Sequence, residues 1–365
     1  MNLKKTLNSS PYNFFFLSVD PFLSIEPKGL RNFYLIQSTR FKNSGQLLSA
    51  PSTIKFIQKI CRQNGRQAAI IPFKPSAKIE FICRQHRFFL IANPVKLARS
   101  LEDKLLFARL CQKSKLPFPR FYIAKFNQKN YQIYQKKFGN LVIQTKTGWA
   151  GKSTHLSHSW LDIKDKITPS TPVKFSPYLQ PSSTLLNNCC LSSLGLIQSS
   201  VADQITGLSP LTKNPLATVG RRWPSTSSPS IQNQVKKITE KFALILQKKD
   251  YKGFFGLDFI LYQNQVYLQE CNPRLTASFA FYHHLESKLK SATPLFFLHL
   301  ASFLSLDQDI NLGLEQSRFS SNKIQGIQLN QKNLKSQTIA QINHFRPQTS
   351  LNTLIRRLVK SASSK

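Results

Sequence analysis

The sequence predicts an α/β protein: a small N-terminal parallel α/β unit followed by a larger α+β part. Three observations predict it. Apolar runs alternate strand, helix, strand, helix, strand over residues 31–95, the pattern of parallel strands joined by crossover helices. Two apolar β-type runs flank the polar turn Gln263-Asn264-Gln265, as in an antiparallel hairpin. Two of only 13 glycines, Gly148 and Gly151, fall between another pair of strand-like runs.

Residues 1–30 carry Pro11, Pro21 and Pro27 and read as an irregular extension. Asp20 and Pro21 end the apolar stretch Phe14-Phe-Phe-Leu-Ser-Val too early for a signal peptide, so a mature segment is expected. Phe33–Gln37 reads as a strand, Thr53–Cys61 as a helix (Ile54, Ile57, Ile60) and Gln67–Pro72 as a strand. Ala77–His86 is a second helix and Phe88–Ala92 a third strand. Leu101–Leu110 has Leu101, Leu105 and Ala108 on one helical stripe, with Lys104 at its flank. Strands follow at Leu141–Gln144, Thr154–Trp160, Ser182–Asn188 and Leu196–Gln204. Gly220-Arg221-Arg222-Trp223 reads as part of a Pro-rich loop, either a surface turn or a place where paired arginines hold an acidic substrate. Ile231–Leu246 and Pro294–Leu304 are helical. Past Glu315 there are nine Lys or Arg and no acid. The expectation there is a basic tail with a short helix near Leu351–Val359, either loosely packed or a docking arm for an anionic partner. The predicted organisation is an extension (1–30), an α/β unit (31–100), a catalytic part (101–305) and the tail (306–365).

At 41% hydrophobic residues, global disorder is excluded. No apolar run reaches the roughly 18 residues that cross a bilayer. Six cysteines (61, 83, 111, 189, 190, 271) show neither CxxC nor zinc spacing, so reduced thiols in a cytoplasmic protein are expected. Lys and Arg number 51 against 16 acids, a net charge of +35. With no basic block of five or more, incidental polyanion binding is expected, and a nucleic-acid-binding protein is the alternative.

Against so few acids, the placement of Asp258 and Glu270 inside apolar strand runs stands out. A turn centred on Asn264 sets them opposite each other on one sheet face. Facing carboxylates repel, and a cation or shared proton must neutralise them. Asn272 adds an oxygen on the same face, and Asp, Glu and Asn oxygens suit Mg²⁺ (or Mn²⁺) with its nucleotide phosphates. Arg274 continues that face with a cation suited to an oxyanion. In the glycine turn, backbone N–H groups around Gly148 and Gly151, with Lys152 and Ser153, can cover phosphate oxygens. Gly151-Lys152-Ser153 ends like a P-loop, but that pattern needs glycine at 146, where the chain has lysine, and a helix afterwards.

The stretches Gly256-Leu-Asp-Phe-Ile and Tyr267-Leu-Gln-Glu-Cys-Asn-Pro-Arg274, then Thr276-Ala-Ser278, resemble the ATP-grasp superfamily. Asn93, Asp103-Lys104 and Pro117-Phe-Pro119 continue the resemblance into a preceding parallel α/β domain. The resemblance implies an ATP-grasp fold with a glycine lid over 146–154. It further implies ATP and Mg²⁺ as cofactors, a metal held by Asp258, Glu270 and Asn272, and Arg274 as the catalytic residue. Lys104 would reach a phosphate, and Tyr178 and Leu179 would line the adenine. The family's lysine before the lid is replaced by Gln144; either Lys146 substitutes or the contact is a neutral amide. No acid lies between Asp165 and Asp203, so the carboxylate that many relatives use near the ribose or adenine is absent. The implied activity is a ligase that activates a small-molecule carboxylate as an acyl phosphate for attack by an amine or other nucleophile. A phosphotransferase and a degenerate nucleotide-binding protein are the alternatives within the fold.

Overall fold

The computed structural model describes residues 3–148, 153–180, 182–289, 293–306, 310–320, 323–333, 337–345 and 349–363. The N-terminal unit runs α1 (Leu3–Ser9), β1 (Tyr12–Ser18), β2 (Phe33–Gln37), α2 (Ser44–Ser49), α3 (Pro51–Asn64), β3 (Gln67–Pro72), α4 (Ala77–Gln85) and β4 (Phe89–Leu90). Its parallel sheet has the order β2-β1-β3-β4. The expectation of an irregular segment over 1–30 is therefore corrected. Phe14, Phe15, Phe16 and Leu17 form an interior strand, fully buried and covered on both faces. Such a strand reads as one continuous apolar run without alternation, which is why the run looked like an apolar leader. Asn93 ties this unit onward, exchanging hydrogen bonds with the backbone of Lys252 at 2.7 and 2.9 Å.

The helix expected over 101–110 is two helices, α5 (Val95–Glu102) and α6 (Lys104–Lys113). Asp103 breaks them because its carboxylate caps α6, accepting from the N–H groups of Leu105 and Leu106 at 3.0 and 3.1 Å. A small antiparallel sheet follows, with β5 (Tyr122–Lys125), α7 (Gln128–Phe138), β6 (Leu141–Thr145), β7 (Thr154–Ser157) and β8 (Pro172–Pro177) in the order β5-β8-β6-β7. Leu141, Ile143, Val173 and Phe175 pack with Tyr131 of α7. Gln144 and Lys174 leave the other face, towards α6.

The large sheet holds β9 (Ser183–Ser192), β10 (Gly195–Gln198), β11 (Ala202–Thr206), β12 (Thr218–Trp223), β13 (Gly253–Tyr262) and β14 (Gln265–Asn272). The long helix α8 (Pro229–Gln247) packs on one side through Val235, Phe242 and Leu246. Helices α9 (Phe279–Glu286), α10 (Leu295–Leu304) and α11 (Leu312–Gln316) follow, then β15 (Gly326–Lys332), β16 (Thr338–His344) and α12 (Leu351–Ser363). The sheet order is β14-β13-β9-β11-β12-β15-β16, with β10 paired to β9.

Three further expectations change here. The single strand over 196–204 is β10 and β11, separated at 199–201, where the Ser199 side chain accepts from Asn187 Nδ2 and the Asn188 N–H. Gly220–Trp223 is not a loop but most of β12, between β11 and β15. The basic tail is neither loose nor an arm: β15 and β16 extend the sheet, and α12 buries Leu354 and Leu358 against Val219 and Leu329. The alternation Ile327, Leu329 and the later Ala340, Ile342 carried that signal. No disulfide joins the six cysteines, and no helix among the described residues is long and apolar enough to cross a membrane.

Two buried histidines predict the acid response. His299 accepts the Phe254 N–H at 3.0 Å, and burial pulls its imidazole down to about 3. Burial pulls His283 down to about 4. Both must stay neutral in the folded state, while the unfolded chain binds their protons below its ordinary value of 6.5. Stability from these groups is therefore present above pH 6.5 and falls as pH drops, by up to about 1.4 kcal/mol per pH unit for each. Denaturant midpoints between pH 7 and 4 test this, with His299→Gln expected to reduce the slope.

Candidate active site

The β13–β14 hairpin sets the site by a register device. Gln263 and Asn264 both have positive φ, 49° and 59°, forming a two-residue turn that pairs Tyr262 with Gln265. Continued unbroken, that ladder would face Asp258 with Gln269 and turn Glu270 to the opposite side. Instead the register shifts between Asp258 and Phe259, leaving Gln269 as the extra residue of a bulge. Asp258 then faces Glu270, as the sequence predicts, although the turn is centred between residues 263 and 264.

Around the pair, Gln204 of β11 donates to Asp258 Oδ1 at 2.5 Å and Asn272 donates to Asp258 Oδ2 at 3.0 Å. Lys104 Nζ lies 2.5 Å from Glu270 Oε2. Burial, and then the Glu270 charge, push the Asp258 carboxyl up to about 7. Burial also acts to raise Glu270, but the Lys104 ammonium outweighs it and holds that carboxyl low. Of the two carboxyls, Glu270 is therefore the one that ionises first. Among the described residues no third His, Cys, Asp or Glu completes a cluster. Mg²⁺ fits this donor set of two carboxylates and an amide, because it takes few protein oxygens and completes its shell with phosphate and water.

Arg274 is more engaged than the sequence indicates. Its Nε donates to Glu102 Oε1 at 2.9 Å, Nη2 to Asn272 Oδ1 at 3.1 Å and Nη1 to the Leu275 carbonyl at 3.0 Å. Thr276 and Ser278 anchor the following turn, each bonding Asn188 of β9 at 3.2 Å. Gly256 permits this approach, since a Cβ there would fall 2.4 Å from Thr276 Cγ2.

Lys104 opens α6, and its N–H donates to the Lys146 carbonyl at 3.0 Å, so α6 joins the two sheets at the site. Gln144 is buried and donates to Thr154 Oγ1 at 2.9 Å. The Lys146 side chain is 67% exposed and lies 3.5 Å from Asp103 Oδ2, so it points out of the cleft. Gly148 packs on Ser153, where a Cβ would meet the serine's own at 2.3 Å. Ser153 is buried, and its Oγ has no hydrogen-bond partner among the described residues. Gly151 and Lys152 lie outside the described residues. Tyr178 and Leu179 are half-buried in the connection from β8 towards β9. The structure therefore gathers Lys104, Asp258, Glu270, Asn272 and Arg274 directly.

The model of the ATP-grasp domain family matches residues 101–278. Residues 101–278 therefore form an ATP-grasp domain. The ATP-grasp fold extends to solved structures across the chain. An N5-carboxyaminoimidazole ribonucleotide synthetase in complex with ADP is 13% identical, with a TM-score of 0.63 over 96% of each chain. The carboxyaminoimidazole ribonucleotide synthase of Aspergillus clavatus, complexed with ATP, is 14% identical, with a TM-score of 0.60 over 88% of this chain and 82% of that one. The biotin carboxylase domain of the Hydrogenobacter thermophilus 2-oxoglutarate carboxylase, with MgADP and bicarbonate, is 10% identical, with a TM-score of 0.59 over 87% and 74%.

Sequence reasoning missed three groups beside this cluster: Gln204, Glu102 and Lys174. Gln204 and Glu102 act through the acids and Arg274 that the motif does reveal. Arg221 it placed in a loop beside an acidic substrate. The structure separates the arginine pair. Arg222 turns to Asp203 at 2.8 Å on the exposed side, while Arg221 faces inward beside Gln204 and Gln328.

Proposed function

We propose that this chain is an ATP- and Mg²⁺-dependent ligase. It transfers the γ-phosphoryl group to a small-molecule carboxylate, and an amine or other nucleophile then displaces phosphate from the acyl phosphate. The carrying observation is the bulge that turns Asp258 and Glu270 to one face beneath Lys104. A divalent ion held there by Asp258, Glu270 and Asn272 would neutralise phosphate charge. Lys104, opening α6 beside the acids, is suited to the phosphates, and Gly148 and Ser153 to covering them. Tyr178 and Leu179, half-buried after β8, would line the adenine. Arg274, fixed by Glu102, keeps a guanidinium beside the acids for charge developing in transfer.

The acceptor end lies along the same sheet face. Among the described residues, Arg221 Nε and Gln328 Nε2 are buried donors without a hydrogen-bond partner. Gln328 and Lys332, four apart on β15, leave the same face. Burial, and then the Arg221 charge, pull the Lys332 amine down to about 8. Unsatisfied buried donors are costly and are satisfied by an acceptor such as a carboxylate. Screening ADP release over pooled carboxylates and amines tests the reading. Release should require Mg²⁺ and both pools; none from any pool, together with no nucleotide binding, would sink it. Arg221→Met should lower kcat/KM for the carboxylate by about 100-fold, as loss of a charged hydrogen bond does, with an equal or higher thermal midpoint.

A further inference from the structure

We propose that Lys174 of β8 grips the nucleotide phosphates from the small sheet, supplying across the strand pair the cation that β6 lacks at Gln144. The inference rests on the nucleotide-binding reading above. Gln144 and Lys174 are register partners in the antiparallel β6–β8 ladder, so their side chains leave the same face at neighbouring points. That face is turned away from the α7 core and towards α6 and β14, where Lys104 and Glu270 lie. Lys174 is only 4% exposed. Its ammonium lies 4.8 Å from the Phe118 ring centroid. Among the described residues, no carboxylate lies within ion-pair distance and no hydrogen bond holds it.

A buried ammonium without an anion is a destabilising arrangement. Burial, and then the charge of Lys104, pull Lys174 down to about 7. Glu270 cannot compensate it, being already paired with Lys104. Lys146 does not compete for the position, since it is exposed and lies by Asp103. A phosphate chain lying between Lys104 and the small sheet would meet Lys174 and return the missing anion. This chain thus holds one cation at the ladder rung 144/174, carried by β8 instead of β6.

Calorimetric titration with MgADP, beside denaturation midpoints of the ligand-free proteins, tests the assignment. Lys174→Met should weaken MgADP binding ~30-fold, while its ligand-free midpoint stays equal or rises because an uncompensated buried charge is gone. The exchanged pair Gln144→Lys/Lys174→Gln should bind within about threefold of the parent, since the ammonium re-enters from the facing strand. A Lys174→Met protein that binds MgADP as the parent does overturns the inference, as does one that loses midpoint without losing affinity. An exchanged pair that binds no better than Lys174→Met overturns the shared rung. A parent that binds no MgADP at all fails the ligase reading first and takes this inference with it.

Discussion

Asp258→Asn and Glu270→Gln should each cut Mg²⁺-dependent ADP release by a hundredfold or more, the scale lost when a catalytic metal is misheld. Asp258→Asn should do so without lowering folding stability, whereas Glu270→Gln also strands the Lys104 ammonium and costs stability. At Asp258 the two effects separate because the acids face each other on one side of the hairpin. Burial and Glu270 already push Asp258 up to about 7, so the folded chain gains nothing from ionising it. An amide at 258 keeps an acceptor for Gln204 and removes the like charge. Turnover and denaturant midpoint should be measured on the same preparations, with Mn²⁺ substituted for Mg²⁺ as a second arm. Equal ADP release by parent and variants would remove these carboxylates from the chemistry. A midpoint falling in step with activity in Asp258→Asn would recast that acid as structural.

Arg318→Ala should produce the largest loss of stability, about 3–5 kcal/mol, the usual consequence of stripping the partner from buried charges. The guanidinium is fully buried, 2.5 Å from Glu286 Oε1 and bonded to Glu315, and it also donates to the Glu315 carbonyl at 2.9 Å. Glu286 in turn accepts the Leu295 N–H at 3.0 Å, and Glu315 accepts the Thr293 N–H. One side chain therefore fastens α9, the start of α10 and α11. Without it two buried carboxylates face each other. Burial pushes Glu286 up to about 7 even with the arginine present, so the variant's deficit should narrow as pH falls towards 5, where protonated carboxyls need no cation. Denaturation at pH 8 and pH 5.5 measures this. A loss under 1 kcal/mol at both would show the network to be dispensable. The triple variant Arg318→Met/Glu286→Gln/Glu315→Gln should recover much of the loss.

The acids, the amide and the arginine of the site were legible in the sequence because they sit within a few residues of one another. Alternation within a strand assigns a face to each, and a polar turn pairs the two runs. The same local logic gave β2, β3, α4, α8 and α10 within a few residues. Strand β1 escaped it because an interior parallel strand is apolar on both faces and lacks alternation. Strands β15 and β16 escaped it because charge composition, a surface property, outweighed a genuine alternation between Ile327 and Ile342.

What the sequence alone determined is therefore the grouping of two acids, an amide and an arginine on one hairpin and the order of most helices and strands. Tertiary structure decided the rest: the Gln269 bulge that brings Asp258 opposite Glu270, the break at Asp103 that aims Lys104 at Glu270, and the separation of Arg221 from Arg222. It also placed Lys174 across from Gln144. The aim of Lys104, the facing of Arg221 and the placement of Lys174 depend on contacts between residues tens to hundreds of positions apart. The bulge and the Asp103 cap are local but leave no mark in the residue pattern. A single chain read in order shows which groups are available, but partners across a ladder or a cleft are fixed only when loop closure brings distant strands together.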